Sequence, residues 1–316
     1  MELSAQSWID PNARAYFIGV TDGEILAIEE AAIQYVGFEN NSTLRAGRFY
    51  VDFGKQMQSH VHELRTVERP LVLRAFLGDE VKGDGVQWDH WVPAGDASMV
   101  RWSVGTFASL LPEENEFDTT HERSVDERKN VGDLNFTARL TALTDYSDNE
   151  TLQVGASGRW IPDFGVEFDA TGDTQTGLSS AVYGVDATYV RTSETGEGAM
   201  TVGAEWLTAV GDNGAINPAA GSIDVIHGSR TGYFGFIDIA CNRRESVGLQ
   251  YSAAELGDLE ASRAAEVEAY YTRQLSEFQR LRFSVSTRSM ENGEDFARAV
   301  IQYTAIIGAH GHGLSW

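Results

Sequence analysis

The chain has 316 residues, with 47 acidic against 24 basic side chains and a formal net charge of -23. So acidic a chain lacks the clustered Lys and Arg that nucleic-acid binding needs, and its one cysteine, Cys241, excludes an intramolecular disulfide framework. No apolar run approaches a membrane-spanning helix, but the 32 glycines and only 6 prolines suit many strands joined by tight turns.

Residues 1–13 read as a polar lead-in, without the basic and apolar regions of a signal peptide. Strands are expected at Arg14 to Val20, Glu29 to Phe38 and Leu44 to Phe53. In the last of these, Gly47, Phe49, Val51 and Phe53 share one side and Arg48, Tyr50 and Asp52 the other. Residues 54–84 then break the alternation, with a short helix expected within Val67 to Leu77. A loop this long is usually functional or folded back onto the body.

Strands resume at Gly85 to Val92 and Met99 to Ala108, followed by a charged loop over 110–130. Leu134 to Leu143 and Leu152 to Trp160 come next, then a loop over 161–180 that includes a β-like piece, Phe164 to Ala170. Ala181 to Arg191 and Met200 to Val210 form a pair, and 211–229 reads as another long loop. Thr231 to Cys241 and Ser246 to Ala253 follow. The stretch 264–308 holds three clean alternating runs, with Asn292-Gly293 as a hairpin signal in the last joint.

Side chains leave a strand on opposite faces in turn, so each run carries one apolar and one polar face. Runs of about ten residues match a tilted strand crossing a bilayer. Short joints near 40, 95, 146, 195, 242 and 277 alternate with long ones at 54–84, 110–130, 161–180, 211–229 and 254–263. Membrane barrels segregate periplasmic turns from extracellular loops in this way. The expected fold is an all-β antiparallel transmembrane barrel of about 14 strands, within 12–16, occupying residues 14–308 as one domain with a tail at 309–316. The alternative is a soluble all-β ligand-binding protein, which would bury the apolar faces that a barrel exposes.

Several segments also carry a family likeness. They are Leu44-Arg-Ala-Gly-Arg-Phe49 with Phe53-Gly-Lys55, His60-Val-His-Glu63, Glu68-Arg-Pro70, Gly85-Val-Gln-Trp88, Gly184-Val-Asp-Ala-Thr-Tyr189, Glu205-Trp-Leu207, Ser276-Glu-Phe-Gln-Arg-Leu-Arg282 and Tyr303-Thr-Ala-Ile-Ile-Gly-Ala-His310. In this order they resemble the porin-like outer-membrane β-barrel family of Gram-negative bacteria, related to the phosphate-selective porin O/P group. The resemblance implies an outer-membrane location, contact with outer-membrane lipids, and passive diffusion of small hydrophilic or ionic solutes. It also implies the homotrimer that porins often form. The missing signal peptide and the irregular tail from His310 depart from the pattern. No segment resembles a transporter plug domain, which argues against energised uptake.

If the apolar face meets lipid, the polar face lines the lumen. Arg48, Arg101, Arg139, Arg159, Arg282, Arg288 and Arg298 would form one wall, with Asp186, Glu205, Asp238, Glu266 and Glu268 facing them. Opposed walls would set a transverse field on passing solutes; the plainer reading is that the charges are paired and keep the interior wet. Loop 54–84 is the candidate constriction, with Lys55, Arg65, Arg69 and Arg74 suited to small polar or anionic solutes; otherwise it is an exposed loop. His60, His62 and Glu63 offer imidazole and carboxylate donors of the kind zinc takes, though such loop histidines are more often incidental. Trp88, Trp91, Trp102, Trp160, Trp206, Tyr189 and Tyr303 are candidates for interfacial girdles. No hydrolase elbow, metalloprotease helix or nucleotide loop is present, so neither enzyme chemistry nor a cofactor is expected.

Overall fold

The computed structural model describes residues 2–21, 23–24, 26–110, 122–124, 131–168, 173–217, 222–256, 263–291 and 295–306. Strands β1 (Glu2–Asp10), β2 (Ala13–Thr21), β3 (Leu26–Tyr35) and β4 (Ser42–Tyr50) precede helix α1 (Leu71–Leu77). After it come β5 (Lys82–Pro93), β6 (Ser98–Phe107), the short β7 (Glu122–Ser124), β8 (Asn135–Ser147) and β9 (Glu150–Phe168). Next are β10 (Asp173–Thr192), β11 (Ala199–Asn217), β12 (Ser222–Asn242) and β13 (Glu245–Glu255). The last three are β14 (Arg263–Ser276), β15 (Gln279–Met290) and β16 (Phe296–Ala305). Every strand but β7 pairs antiparallel with its neighbours in chain order, giving one path of fifteen strands, and β7 pairs only with β9. β1 and β16 are the two ends of that path.

The outward face is apolar around the whole sheet. Val104 on β6, Val185 on β10, Leu249 on β13 and Ile301 on β16 are all exposed, Val185 at 52% and Ile301 at 71%. The inward face buries charge instead, with Arg159 and Arg282 each at 1%. A soluble sandwich would show the reverse, because apolar surface left in water costs about 25 cal/mol per Å². That the sheet wraps round is plain from one segment, 51–81, which touches inward side chains from β3 to β16.

Three expectations about the chain change. Glu2–Asp10 is strand β1, not a lead-in: it pairs with β2 across the turn Pro11-Asn12, with a register shift between Trp8 and Asp10. Its outward positions include Ser7, which blurs the alternation. The expected loops 161–180 and 211–229 are mostly strand. β9 to β12 have 19 to 21 residues each, and β11 pairs with β12 without a break from Ala199–Ala240 to Asn217–Ser222. A bilayer needs only about ten residues of tilted strand, so these four rise well beyond it. Among the described residues the path has fifteen strands, inside the expected range but odd. The tail at 309–316 and most of 110–130 lie outside the described residues.

Candidate functional site: the lumen and the segment that fills it

The chain leaves β4 at Tyr50 and turns into the barrel. Gly54 makes the turn at φ +58, where its N–H donates to Ser157 Oγ at 3.0 Å; a Cβ there would collide with the Glu205 carboxylate. A turn of 3-10 helix follows at Val61–Glu63. Pro70, extended, precedes α1, and Gly78 at φ +77 ends it, its N–H bonding to the Arg74 carbonyl at 3.2 Å. All seven residues of α1 are buried. Proline before and glycine after a helix suit the free N–H and the left-handed exit there.

A helix this apolar needs apolar walls on all sides, and the inward face supplies them. Ile161, Phe164, Val182, Leu207, Phe234 and Ala254 belong to one buried cluster with Val51, Phe53, Met57 and α1. The hydrophobic core of the protein is therefore inside the barrel.

The charges predicted to line a lumen face inward with one exception. Arg48 is cross-strand partner to Ala31 and Asp84 on the outward side, while Phe49 turns in against Phe107 with ring centroids 5.4 Å apart. The expected parity of this strand was reversed because Phe49 serves the internal core, not the lipid face. Trp91 likewise points inward, 5.5 Å from the Arg101 guanidinium, and leaves the proposed girdle. Trp88, Trp102, Trp160, Trp206, Tyr189 and Tyr303 remain on the outward face.

The remaining arginines and carboxylates do not face each other across an open space. Some pair directly, as Arg139 with Asp186 and Arg288 with Glu266, and segment 51–81 brings partners to both kinds. Glu205 accepts the backbone N–H groups of Lys55 and Gln56 at 2.7 and 3.3 Å. Glu268 accepts that of Val67 at 3.1 Å, and Ser252 Oγ that of Val72 at 3.1 Å. From β15 and β9, Arg282 donates to the carbonyls of Leu64 and Thr66, and Arg159 to those of Phe76 and Leu110, both at 3.4 Å. Tyr270 donates to Asp238 at 2.8 Å.

Ion pairs complete the arrangement. Glu266 is shared by Arg74 at 2.8 Å and Arg288 at 2.9 Å. Glu68 pairs with Arg298 and, at 3.2 Å, with Arg74. Burial would raise the Glu68 pKa, but its bond to Arg298 overrides this and holds it low. Asp52 binds Arg101 at 2.6 Å and Arg139 at 3.5 Å, and Arg139 reaches Asp186 at 2.6 Å. Arg69 donates to the Ser59 carbonyl and is fully buried, whereas Arg65 is exposed above Phe236, 4.8 Å from its ring centroid.

Toward the short-turn end a small cavity of about 30 Å³ remains, lined by Lys55, Gln58, Arg101, Arg139 and Gln153 among others. That is room for about one water. Lys55 Nζ donates to Gln153 at 2.8 Å; burial, then the nearby Arg139, pushes its pKa down.

On the β1–β3 side, His60 is buried. Its Nε2 lies 3.0 Å from Glu30 and its Nδ1 3.5 Å from Glu29 and 3.9 Å from Glu2. Burial alone would lower its pKa, but the hydrogen bonds to Glu29 and Glu30 win and raise it to about 10. His62 Nδ1 is 3.2 Å from Glu2. Glu63, the third residue of the sequence motif, is exposed and is not part of this cluster.

No family model and no curated protein matches the chain. Solved structures do. An anion-selective porin from Comamonas acidovorans matches with TM-score 0.54 at 12% identity, over 95% of this chain and 83% of that one. The outer-membrane channel DcaP of Acinetobacter baumannii gives 0.54 and 12%, over 96% and 83%. The in-vitro folded OmpT of Vibrio cholerae, in its trimer form, gives 0.52 and 9%, over 96% and 86%. The fold is that of an outer-membrane porin. At such identities the likeness is one of fold, and the filled lumen described above belongs to this chain's own residues.

Proposed function

We propose that the protein is a porin-type channel of the bacterial outer membrane, passing small hydrophilic or ionic solutes by passive diffusion past segment 51–81, without cofactor or chemistry. The observation that carries this reading is the pairing of an apolar outward face right round the sheet with a charged inward face that fixes a chain segment in the lumen. Small anions are the favoured solutes, since Lys55, Arg101 and Arg139 line a small cavity beside the segment. The finer kinship with the phosphate-selective porin O/P group rests on the sequence motifs, and a homotrimer on the trimeric OmpT alone. The test is conductance of the detergent-refolded protein in a planar bilayer under a salt gradient. Small stepwise openings are expected, with a reversal potential on the anion side that moves toward cations in Lys55→Glu. A monodisperse protein in plain buffer that never inserts would instead establish the soluble binding protein.

A further inference from the structure

From the side-chain geometry we infer that Glu2, His60 and His62 form a binding site for a divalent transition cation of the zinc class, joining segment 51–81 to the first strand. One ligand atom from each of the three lies within 4.8 Å of the others. The separation of Glu2 Oε2 from His62 Nδ1 is 3.2 Å, and from His60 Nδ1 3.9 Å. Ligands at about 2.0–2.1 Å from a tetrahedral zinc stand about 3.4 Å apart, so little movement is needed. Two imidazoles and a carboxylate suit zinc better than calcium or magnesium, which take oxygen donors.

The surroundings are built for a cation. A metal on His60 Nδ1 leaves Nε2–H directed at Glu30 Oε1, the carboxylate–histidine–metal arrangement that fixes ring and tautomer. Glu30 is itself held by Tyr16 Oη at 3.2 Å and the Tyr50 N–H at 3.3 Å. Glu29 is held by Tyr50 Oη at 2.5 Å and brings a further carboxylate oxygen to 3.5 Å from His60 Nδ1. Consecutive residues of a strand normally point opposite ways. Glu29 and Glu30 both reach the interior because the β2–β3 register shifts between Ile18 and Gly19, leaving Glu29 as the extra residue of a bulge. The opposite end of the site is anchored too, since Arg280 of β15 donates to the His62 carbonyl.

The inference does not depend on whether the lumen conducts. The experiment is a titration of the refolded, metal-stripped protein with Zn²⁺ against a chromogenic chelator, and with Co²⁺ followed by its visible absorption. All proteins used carry His310→Ala and His312→Ala, so that the tail contributes no ligand. One equivalent of tightly bound metal is expected, with an intense tetrahedral Co²⁺ spectrum. Glu2→Gln and His62→Gln, both partly exposed, should fold and weaken binding by more than tenfold each. Glu30→Gln should weaken it by about 10–100-fold, as for a partner behind the ligands. Absence of stoichiometric binding, or binding that Glu2→Gln and His62→Gln leave unchanged, would overturn the assignment.

Discussion

Two sets of inward side chains, carboxylates and arginines on interspersed strands, hold the same segment by opposite ends of its peptide groups. On β11 and β14, Glu205 and Glu268 take the amide hydrogens of Lys55, Gln56 and Val67. On β9 and β15, Arg159 and Arg282 bind the carbonyl oxygens of Phe76, Leu64 and Thr66. Buried backbone groups must be paired, and a bond with one charged partner is stronger than a neutral one. The carboxylates and arginines thus do for an irregular segment what a ladder does for a strand. The expected transverse field is spent on the segment, not offered to a passing solute.

The largest effect is expected where one carboxylate serves two arginines. Glu266→Ala leaves Arg74 and Arg288 buried without their shared carboxylate, a change that costs roughly 3–5 kcal/mol. Urea unfolding in detergent should show the lowered midpoint, and a midpoint equal to wild type would mean that water reaches the pair. Arg282→Met acts on the segment more than on the barrel. It removes charge-assisted bonds worth about 1.5–3 kcal/mol each, so amide exchange around residues 64–66 should rise while strand protection persists. Gly54→Ala tests the turn into the lumen. A left-handed position costs an L-residue about 1–2 kcal/mol, added to the collision with Glu205, so its midpoint should fall measurably. Arg191→Ala removes an exposed pair with Glu150, 3.5 Å away, outside the lumen. Its midpoint should match wild type, as for most surface ion pairs.

The strands were legible where one face met lipid and the other met charge, as at Phe283 and Val285 against Arg282 and Ser284. The signal failed where both faces are apolar. Trp206-Leu207, Val182-Tyr183 and Tyr233-Phe234 each send one side chain to the outside and one to the internal core. Such doublets on the neighbouring strands β10, β11 and β12 mark the belt where the internal core packs, and they locate a filled lumen. Arg48 was misplaced for the same reason, since Phe49 follows the core. The third member of the His60–His62 cluster could not be found by spacing, because Glu2 is far off in the chain and lies in a strand the alternation hid. Lys55, Arg69 and Arg74 stood out as charges, but their partners became visible only once the sheet curled.

The odd strand number has a consequence for assembly. Among the described residues, fourteen successive antiparallel pairings leave β1 and β16 pointing the same way, so the two edges can meet only as a parallel pair. Segment 51–81 reaches both sides of that seam. It touches Glu2 of β1 through His62, and β15 and β16 through Arg280 and Arg298. The segment emerges early from the ribosome, yet Glu68 lies 230 residues from Arg298 along the chain. Contacts of such long range form late, because loop closure must precede them. The docking of the segment is therefore completed only when the last strands arrive, which makes it a checkpoint that only a full-length sheet can pass.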